Sequence, residues 1–250
     1  MLTKIKYWVS SCFNLFRQTI RQSLFLGMLY LTIFLFMPIL PALKFLSPIT
    51  IFLWPFIVVI YIHFYKQFDE KSNFDLKYII DLLKAKFKPL LSIGGFCFIY
   101  ASMVSFVVYA GGGINEDIKN YDELTEKFLP VVIKIILISI PFFMATWFSP
   151  LLIAYNKYGF IKAIKSSLAG TLMFSIPLLS SYIVISASFI ITIIFITFFF
   201  STLSFLGQNL ISFFSSLFLL ILLTAYISIL FIYQYVTYKD IFGSLKIKSE

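Results

Sequence analysis

Residues 171–200 read TLMFSIPLLSSYIVISASFIITIIFITFFF, a run without one charged side chain. An α-helix rises about 1.5 Å per residue, so the stretch exceeds the roughly 30 Å of a bilayer's hydrocarbon core. Lipid offers no partner to backbone N–H and C=O groups, and a helix bonds all of them internally. The run therefore predicts a transmembrane helix. Five further runs meet the same length: Leu24–Leu43, Leu46–Tyr65, Pro89–Ala110, Phe128–Tyr155 and Asn209–Tyr235. The first two are separated only by the turn at Lys44, which requires a tight hairpin.

Composition agrees. The 250-residue chain is 60% hydrophobic, 20% aromatic and 12% charged, about half the charge of an ordinary soluble domain, and its mean hydropathy is +0.97. A soluble monomer of this composition would expose apolar surface far beyond the usual patch size. The expected fold is all-α: a polytopic integral membrane protein, one membrane domain over residues 1–250, with six transmembrane helices in three hairpins and basic amphipathic helices at the interface.

The formal net charge of +9 is dispersed between the apolar runs rather than gathered in one solvated stripe, which argues against a nucleic-acid partner. Sixteen of the twenty basic residues fall in four segments: in Lys4–Arg21, in Lys66–Lys88, in Lys157–Lys165 and in Lys239–Lys248. Lys44, Lys119 and Lys127 lie on the other side, where Glu116, Asp117, Asp122, Glu123 and Glu126 make the loop acidic. Positive loops stay cytoplasmic, so both termini are expected in the cytoplasm. Tyr61, Tyr65, Tyr155, Tyr158, Tyr233, Tyr235 and Tyr238 fall at the same ends, at headgroup level. The first run is longer than a signal-peptide core and lacks a small-residue cleavage site, which predicts an uncleaved helix.

An internal similarity accompanies the hydropathy. Phe16, Ile20, Arg21, Ser23 and Leu24 recur at identical spacing as Phe160, Ile164, Lys165, Ser167 and Leu168, with a weaker echo in Ile80, Leu83, Lys84, Phe87, Lys88 and Leu90. Three repeat units, 1–65, 66–155 and 156–238, would each hold a basic amphipathic helix and two spans. Phe16, Ile20 and Leu24 would line its apolar face. Arg17, Arg21, Lys162 and Lys165 are the candidates for contact with anionic lipid, at about 1 kcal/mol per charge. The alternative is that any loop preceding a span tends to be basic and amphipathic.

Candidate functional residues within the spans are few. Lys134 is a charge inside an apolar run, placed either to snorkel to the outer interface or to meet a substrate. Pro141 and Pro150 mark the fourth span, with its Trp147-Phe148-Ser149-Pro150 sequence, as the best place for a broken or hinged helix; the alternative is a static kink. His63 is expected at a wet interface, and Cys12, near Trp8, is either a lipidation position or an inert thiol. Gly94, Gly95, Ala101 and Ser105, the pair Ser188 and Thr192, and the pair Ser212 and Ser216 give small faces on which helices are expected to meet. One histidine and two cysteines build neither a zinc site nor a disulfide framework, no span pairs a nucleophile with a base, and Gly111-Gly112-Gly113 lacks the lysine of a phosphate loop. Neither an enzyme nor a cofactor is expected.

Residues Trp147-Phe148-Ser149-Pro150-Leu151-Leu152-Ile153 followed by Lys162-Ala163-Ile164-Lys165-Ser166-Ser167 resemble a diffuse group of uncharacterised bacterial six-helix inner-membrane proteins. The membrane domain attached to some glycerophosphodiester phosphodiesterases is similar. Gly170 and Thr171 stand where that group usually carries Asn. The resemblance implies a multi-pass protein of the bacterial cytoplasmic membrane and assigns no activity. Two function classes follow: an envelope accessory or structural protein working through the lipid bilayer, anionic lipids or a membrane protein partner, and a small transporter or permease subunit, suggested by the repeat and the proline-marked span.

Overall fold

The computed structural model describes residues 2–71, 75–110, 121–202 and 207–243, without the side chains of 42–44, 47, 121–128 and 208–210. Among them there is no strand. In chain order the helices are α1 (Leu2–Gln18), α2 (Ile20–Leu31), α3 (Met37–Ile39), α4 (Ser47–Asp69), α5 (Leu76–Ala85), α6 (Phe87–Ala110), α7 (Tyr121–Thr146), α8 (Ser149–Asn156), α9 (Phe160–Met173), α10 (Ser175–Thr202) and α11 (Gln208–Tyr238). Thr32–Phe36 and Lys239–Gly243 are π-helical, and Pro41–Leu46 forms a 3-10 turn.

Among the described residues, six segments are long and apolar enough to cross a membrane: Ile20–Ile39, Pro48–Asp69, Phe87–Ala110, Leu129–Asn156, Ser175–Thr202 and Ile211–Gly243. The first ends earlier than hydropathy suggests. Leu40 adopts an extended conformation, as a residue preceding proline prefers, and Pro41 diverts the chain into the 3-10 turn. The acidic loop expected between spans three and four is shorter, since α7 already begins at Tyr121; Glu116, Asp117 and Lys119 lie outside the described residues, as do Lys246 and Lys248.

Three of the spans are entered through a short helix and a bend, at Thr19, Lys86 and Phe174. Two of these bends have the same cause. Pro89 opposes the carbonyl of Ala85 and Pro177 that of Met173, and a proline ring excludes the carbonyl four residues before it, so the helix turns between them. At Thr19 a hydroxyl does similar work: it donates to the Leu15 carbonyl at 2.8 Å and meets the Ser23 hydroxyl at 3.0 Å, a backbone contact that bends helices.

The chain divides into two compact units, one of Met1–Ser47, Ile60–Leu76 and Phe174–Glu250, the other of Pro48–Val59 and Lys77–Met173. In the first, α1 packs on α10 and α11, and α2 on α11. Gly27 lets α2 approach so closely that a Cβ there would collide with the Thr224 carbonyl oxygen and stand 2.6 Å from Ser228 Oγ. In the second, α9 packs on α7 and α8, and α6 on α7, α8 and α9. A Cβ at Gly94 of α6 would lie 2.6 Å from the Phe52 carbonyl oxygen, whereas one at Gly95 would meet only a ring carbon at 3.7 Å.

Burial concentrates in the half of each span that adjoins the basic segments: Phe56–Tyr65 in α4, Leu90–Cys97 in α6, Ala145–Ala154 across α7 and α8, Ser181 and Ile185 in α10, and Thr224–Thr237 in α11. The opposite halves present large apolar side chains outward, among them Phe106, Tyr109, Phe195, Phe198 and Phe213. Against protein, α1 and α2 bury Trp8, Cys12, Leu15, Thr19, Ser23, Gly27 and Leu31, while Ile20 is exposed and Phe16 and Leu24 are half-buried. One expectation about helix seams is corrected. Ser105, Thr192, Ser212 and Ser216 are exposed, and Ser188 is half-buried, rather than forming close seams; Ser105 and Thr192 donate instead to their own helix at Ala101 and Ser188, as hydroxyls in apolar helices can.

Candidate functional site

The buried polar chemistry of the first unit lies near the basic ends of its spans. Tyr65 donates to Ser23 Oγ at 3.2 Å, Ser228 donates to the Ser23 carbonyl at 2.5 Å, and Tyr61 donates to the Leu26 carbonyl at 2.6 Å. These bonds tie α4 and α11 to α2. On the other side of α11, Tyr233 donates to the Leu178 carbonyl at 2.7 Å and sits 2.8 Å from Ser181 Oγ. In lipid such interhelical bonds contribute roughly 0.6–2 kcal/mol each.

Two acid–base clusters close the same end. Asp240 accepts from Lys4 Nζ at 2.8 Å and Trp8 Nε1 at 3.2 Å through one carboxylate oxygen, and Lys4 also stands 4.7 Å from the Phe174 ring centroid. Asp69 accepts from Tyr235 at 2.7 Å and Lys239 at 2.6 Å. Both carboxylates are partly exposed, so each ion pair adds at most about 1 kcal/mol. Their effect is on register: they join the start of α1 and the end of α4 to the π-helical end of α11. None of these residues was singled out by motif. The available signal was an acid at the end of an apolar run beside lysine.

The second unit holds the break in span four. In a continuous helix Phe148 N–H would bond the Met144 carbonyl. Ser167 of α9 is inserted between them, accepting from Phe148 N at 3.0 Å and donating to Met144 O at 2.8 Å, the insertion that interrupts a helical ladder. Thr171 reaches the same carbonyl at 3.2 Å. Pro150 is buried at the start of α8 and lacks an N–H, which fits a first-turn position. Pro141 is exposed within continuous helix, so the break lies at Trp147–Phe148 and not at Pro141.

The remaining candidates do not converge. Arg17, Arg21, Lys162 and Lys165 are exposed on α1, α2 and α9, with Lys162 Nζ 4.2 Å from the Tyr158 ring centroid. Lys134 is exposed one to two turns into span four, which suits snorkelling. His63 is buried rather than wet, because it lies within Phe56–Tyr65, the most enclosed stretch of α4. A groove of about 370 Å³ runs along α6, lined by Phe98, Ile99, Ser102, Met103, Phe106 and Val107; a single apolar helix face of this kind orients no ligand. No group of metal-ligating side chains occurs among the described residues.

Cys12 is buried, and burial pushes its thiol pKa well above the usual range. A protonated, enclosed thiol is a poor nucleophile. Maleimide is expected to modify Cys12 on the order of 100-fold more slowly in the folded protein than after denaturation in SDS, read by peptide mass mapping that separates it from Cys97; equal rates would show that the α1 seam opens.

No family model matches the chain, and neither a curated protein nor a solved structure matches it. The fold defines only a class: six apolar helices whose lengths and composition fit a multi-pass membrane protein.

Proposed function

We propose that the chain is an integral protein of the bacterial cytoplasmic membrane, with both termini cytoplasmic, that acts as an envelope accessory or structural component through contacts with lipid, anionic lipid in particular, or with a membrane protein partner. The observation that carries this reading is how the buried hydroxyls are used. Those of Ser23, Tyr61, Tyr65, Ser181, Ser228 and Tyr233 bond neighbouring helices, which makes a framework rather than a reaction centre. Neither catalysis nor a cofactor belongs to the reading. Three hairpins in three repeat units, each preceded by a basic helix, complete it, and the matching positions Ser23 and Ser167 support a relation between the first and third units: both are buried and both bond across helices.

The break at Trp147–Phe148 favours a second reading, a small transporter or permease subunit, because transporters are often built with discontinuous spans, although here Ser167 and Thr171 bond the Phe148 and Met144 backbone groups. A thermal-shift screen in detergent separates the two, since a ligand of the folded state raises stability by RT ln(1 + [L]/Kd), about 2.7 kcal/mol at a hundredfold excess over Kd. Phosphatidylglycerol is expected to raise the melting temperature while amino acids, sugars and nucleosides do not; a solute hit would overturn the accessory reading. For orientation, Asn115→Cys is expected to react with an impermeant maleimide on intact cells, and Gly243→Cys only after permeabilisation. The reverse pattern would invert the topology.

A further inference from the structure

The three short helices that lead into spans differ in what they do with their apolar faces. α1 buries Trp8, Cys12 and Leu15, and α9 buries Ala163, Ser167 and Thr171. α5 buries only Ile79. Its apolar stripe, Leu76, Ile80 and Leu83, continued past the bend by Phe87 at the start of α6, is largely open: Leu76 is 61%, Ile80 42% and Phe87 52% exposed, Leu83 is half-buried, and the Phe87 ring meets that of Phe56 at 5.5 Å. Beside that stripe run Lys77 and Lys84 of α5 and Lys88 of α6, all exposed. Asp81 lies beyond the lysines, toward the polar face. No loop separates α5 from span three, because Lys86 N bonds Leu82 O at 3.0 Å and Leu90 N bonds Lys86 O at 3.1 Å across the bend. The end of α5 is therefore held at the depth where α6 enters the membrane.

An apolar stripe flanked by one row of cations and fixed at the membrane boundary matches the surface of an anionic leaflet: acyl chains for the stripe, phosphates for the lysines. We infer that α5 is the chain's docking surface for anionic phospholipid, in place of the Arg17, Arg21, Lys162 and Lys165 set that the sequence suggests. Those four cations sit on helices that each bury three residues against protein, where α5 buries one. The inference rests on the membrane reading above and names the surface that such a protein uses.

The test places an environment-sensitive fluorophore at Ile80→Cys in the full chain, the unsubstituted protein serving as the labelling blank. The protein is reconstituted in phosphatidylcholine vesicles holding about one quarter phosphatidylglycerol, and spin-labelled forms of either lipid act as quenchers. Spin-labelled phosphatidylglycerol is expected to quench residue 80 about 5-fold or more better than spin-labelled phosphatidylcholine, since one lysine near the surface is equivalent to a ~5-fold preference. The preference is expected to fall to about 1 in half-molar salt, and likewise on K77Q/K84Q/K88Q, while the quadruple neutralisation of Arg17, Arg21, Lys162 and Lys165 leaves it in place. Equal quenching by the two lipids, or quenching by aqueous iodide alone, overturns the inference. A label at Phe195→Cys on α10 guards the premise: it is expected to be quenched by both lipids alike, in the K77Q/K84Q/K88Q protein as well. Failure there counts against the membrane reading or the fold, whereas failure at residue 80 alone counts against α5.

Discussion

Replacing Gly27 by alanine is expected to lower the melting temperature of the purified protein by roughly 5–10 °C, and replacing Gly94 by alanine to do the same. At Gly27 the added Cβ falls against the Thr224 carbonyl oxygen, with Ser228 Oγ at 2.6 Å and Thr224 Cγ2 at 2.8 Å. At Gly94 it meets the Phe52 carbonyl oxygen at 2.6 Å and the Phe52 Cα at 2.8 Å. The obstacles are mainly backbone atoms, which no rotamer change removes. The helices must separate, and overpacking of this kind costs about 1–3 kcal/mol. At Gly27 the separation also strains the bonds from Ser228 and Tyr65 to Ser23. Gly95→Ala is the internal control. Its Cβ makes an ordinary contact with a Phe52 ring carbon, and alanine favours helix over glycine by up to about 1 kcal/mol, so this variant is expected to melt at or slightly above the wild-type temperature. A Gly94→Ala protein indistinguishable from Gly95→Ala would show that α6 and α4 do not touch at this point.

The contrast between these adjacent glycines marks the limit of what the sequence reveals. The existence and order of six spans are legible because a continuous apolar run such as 175–202 has one stable form in lipid. Which side of a span faces protein is less legible. In water the buried side is the apolar one, but in a bilayer both sides are apolar, and association depends on small residues and close backbone approach. Hydropathy marks Phe16, Ile20 and Leu24 as an apolar face, and it is silent on the stripe that packs against protein, Thr19, Ser23 and Gly27. Small residues alone do not settle the matter either: Ser212 and Ser216 have the same spacing as many seams and stand exposed. The bends at Lys86 and Phe174 lie three residues before Pro89 and Pro177, and the break at Trp147–Phe148 is marked by Pro150 of the Trp147-Phe148-Ser149-Pro150 sequence, whereas the serine of α9 that fills it has no local signature. The Asp69 and Asp240 clusters need partners from distant parts of the chain, which no spacing rule supplies.

Replacing Ser167 by alanine is expected to destabilise the protein by about 1–3 kcal/mol, because its hydroxyl bonds two backbone groups in an enclosed site. Phe148 N–H and the Met144 carbonyl are the pair that an unbroken helix would join, and Ser167 bonds each of them. Without it Phe148 N–H loses that bond where Phe148 and Ser167 are fully enclosed, while the Met144 carbonyl keeps the bond from Thr171 at 3.2 Å. The chain has one way to recover the loss: closing the ladder so that Phe148 bonds Met144 directly, which would straighten span four and shift α8 relative to α7. Thr171→Val separates a local hydroxyl effect from this role. Thr171 Oγ1 also bonds the Ser167 and Leu168 carbonyls of its own helix, and Met144 O keeps Ser167, so that variant is expected to cost less than about 1 kcal/mol. Hydrogen exchange at Phe148 gives the decisive reading: its amide is expected to lose protection on Ser167→Ala if the break persists and to keep it if the ladder closes. A Ser167→Ala protein as stable as wild type, with Phe148 still exchanging slowly, would mean that span four tolerates the continuous form and that the break is held by something other than α9.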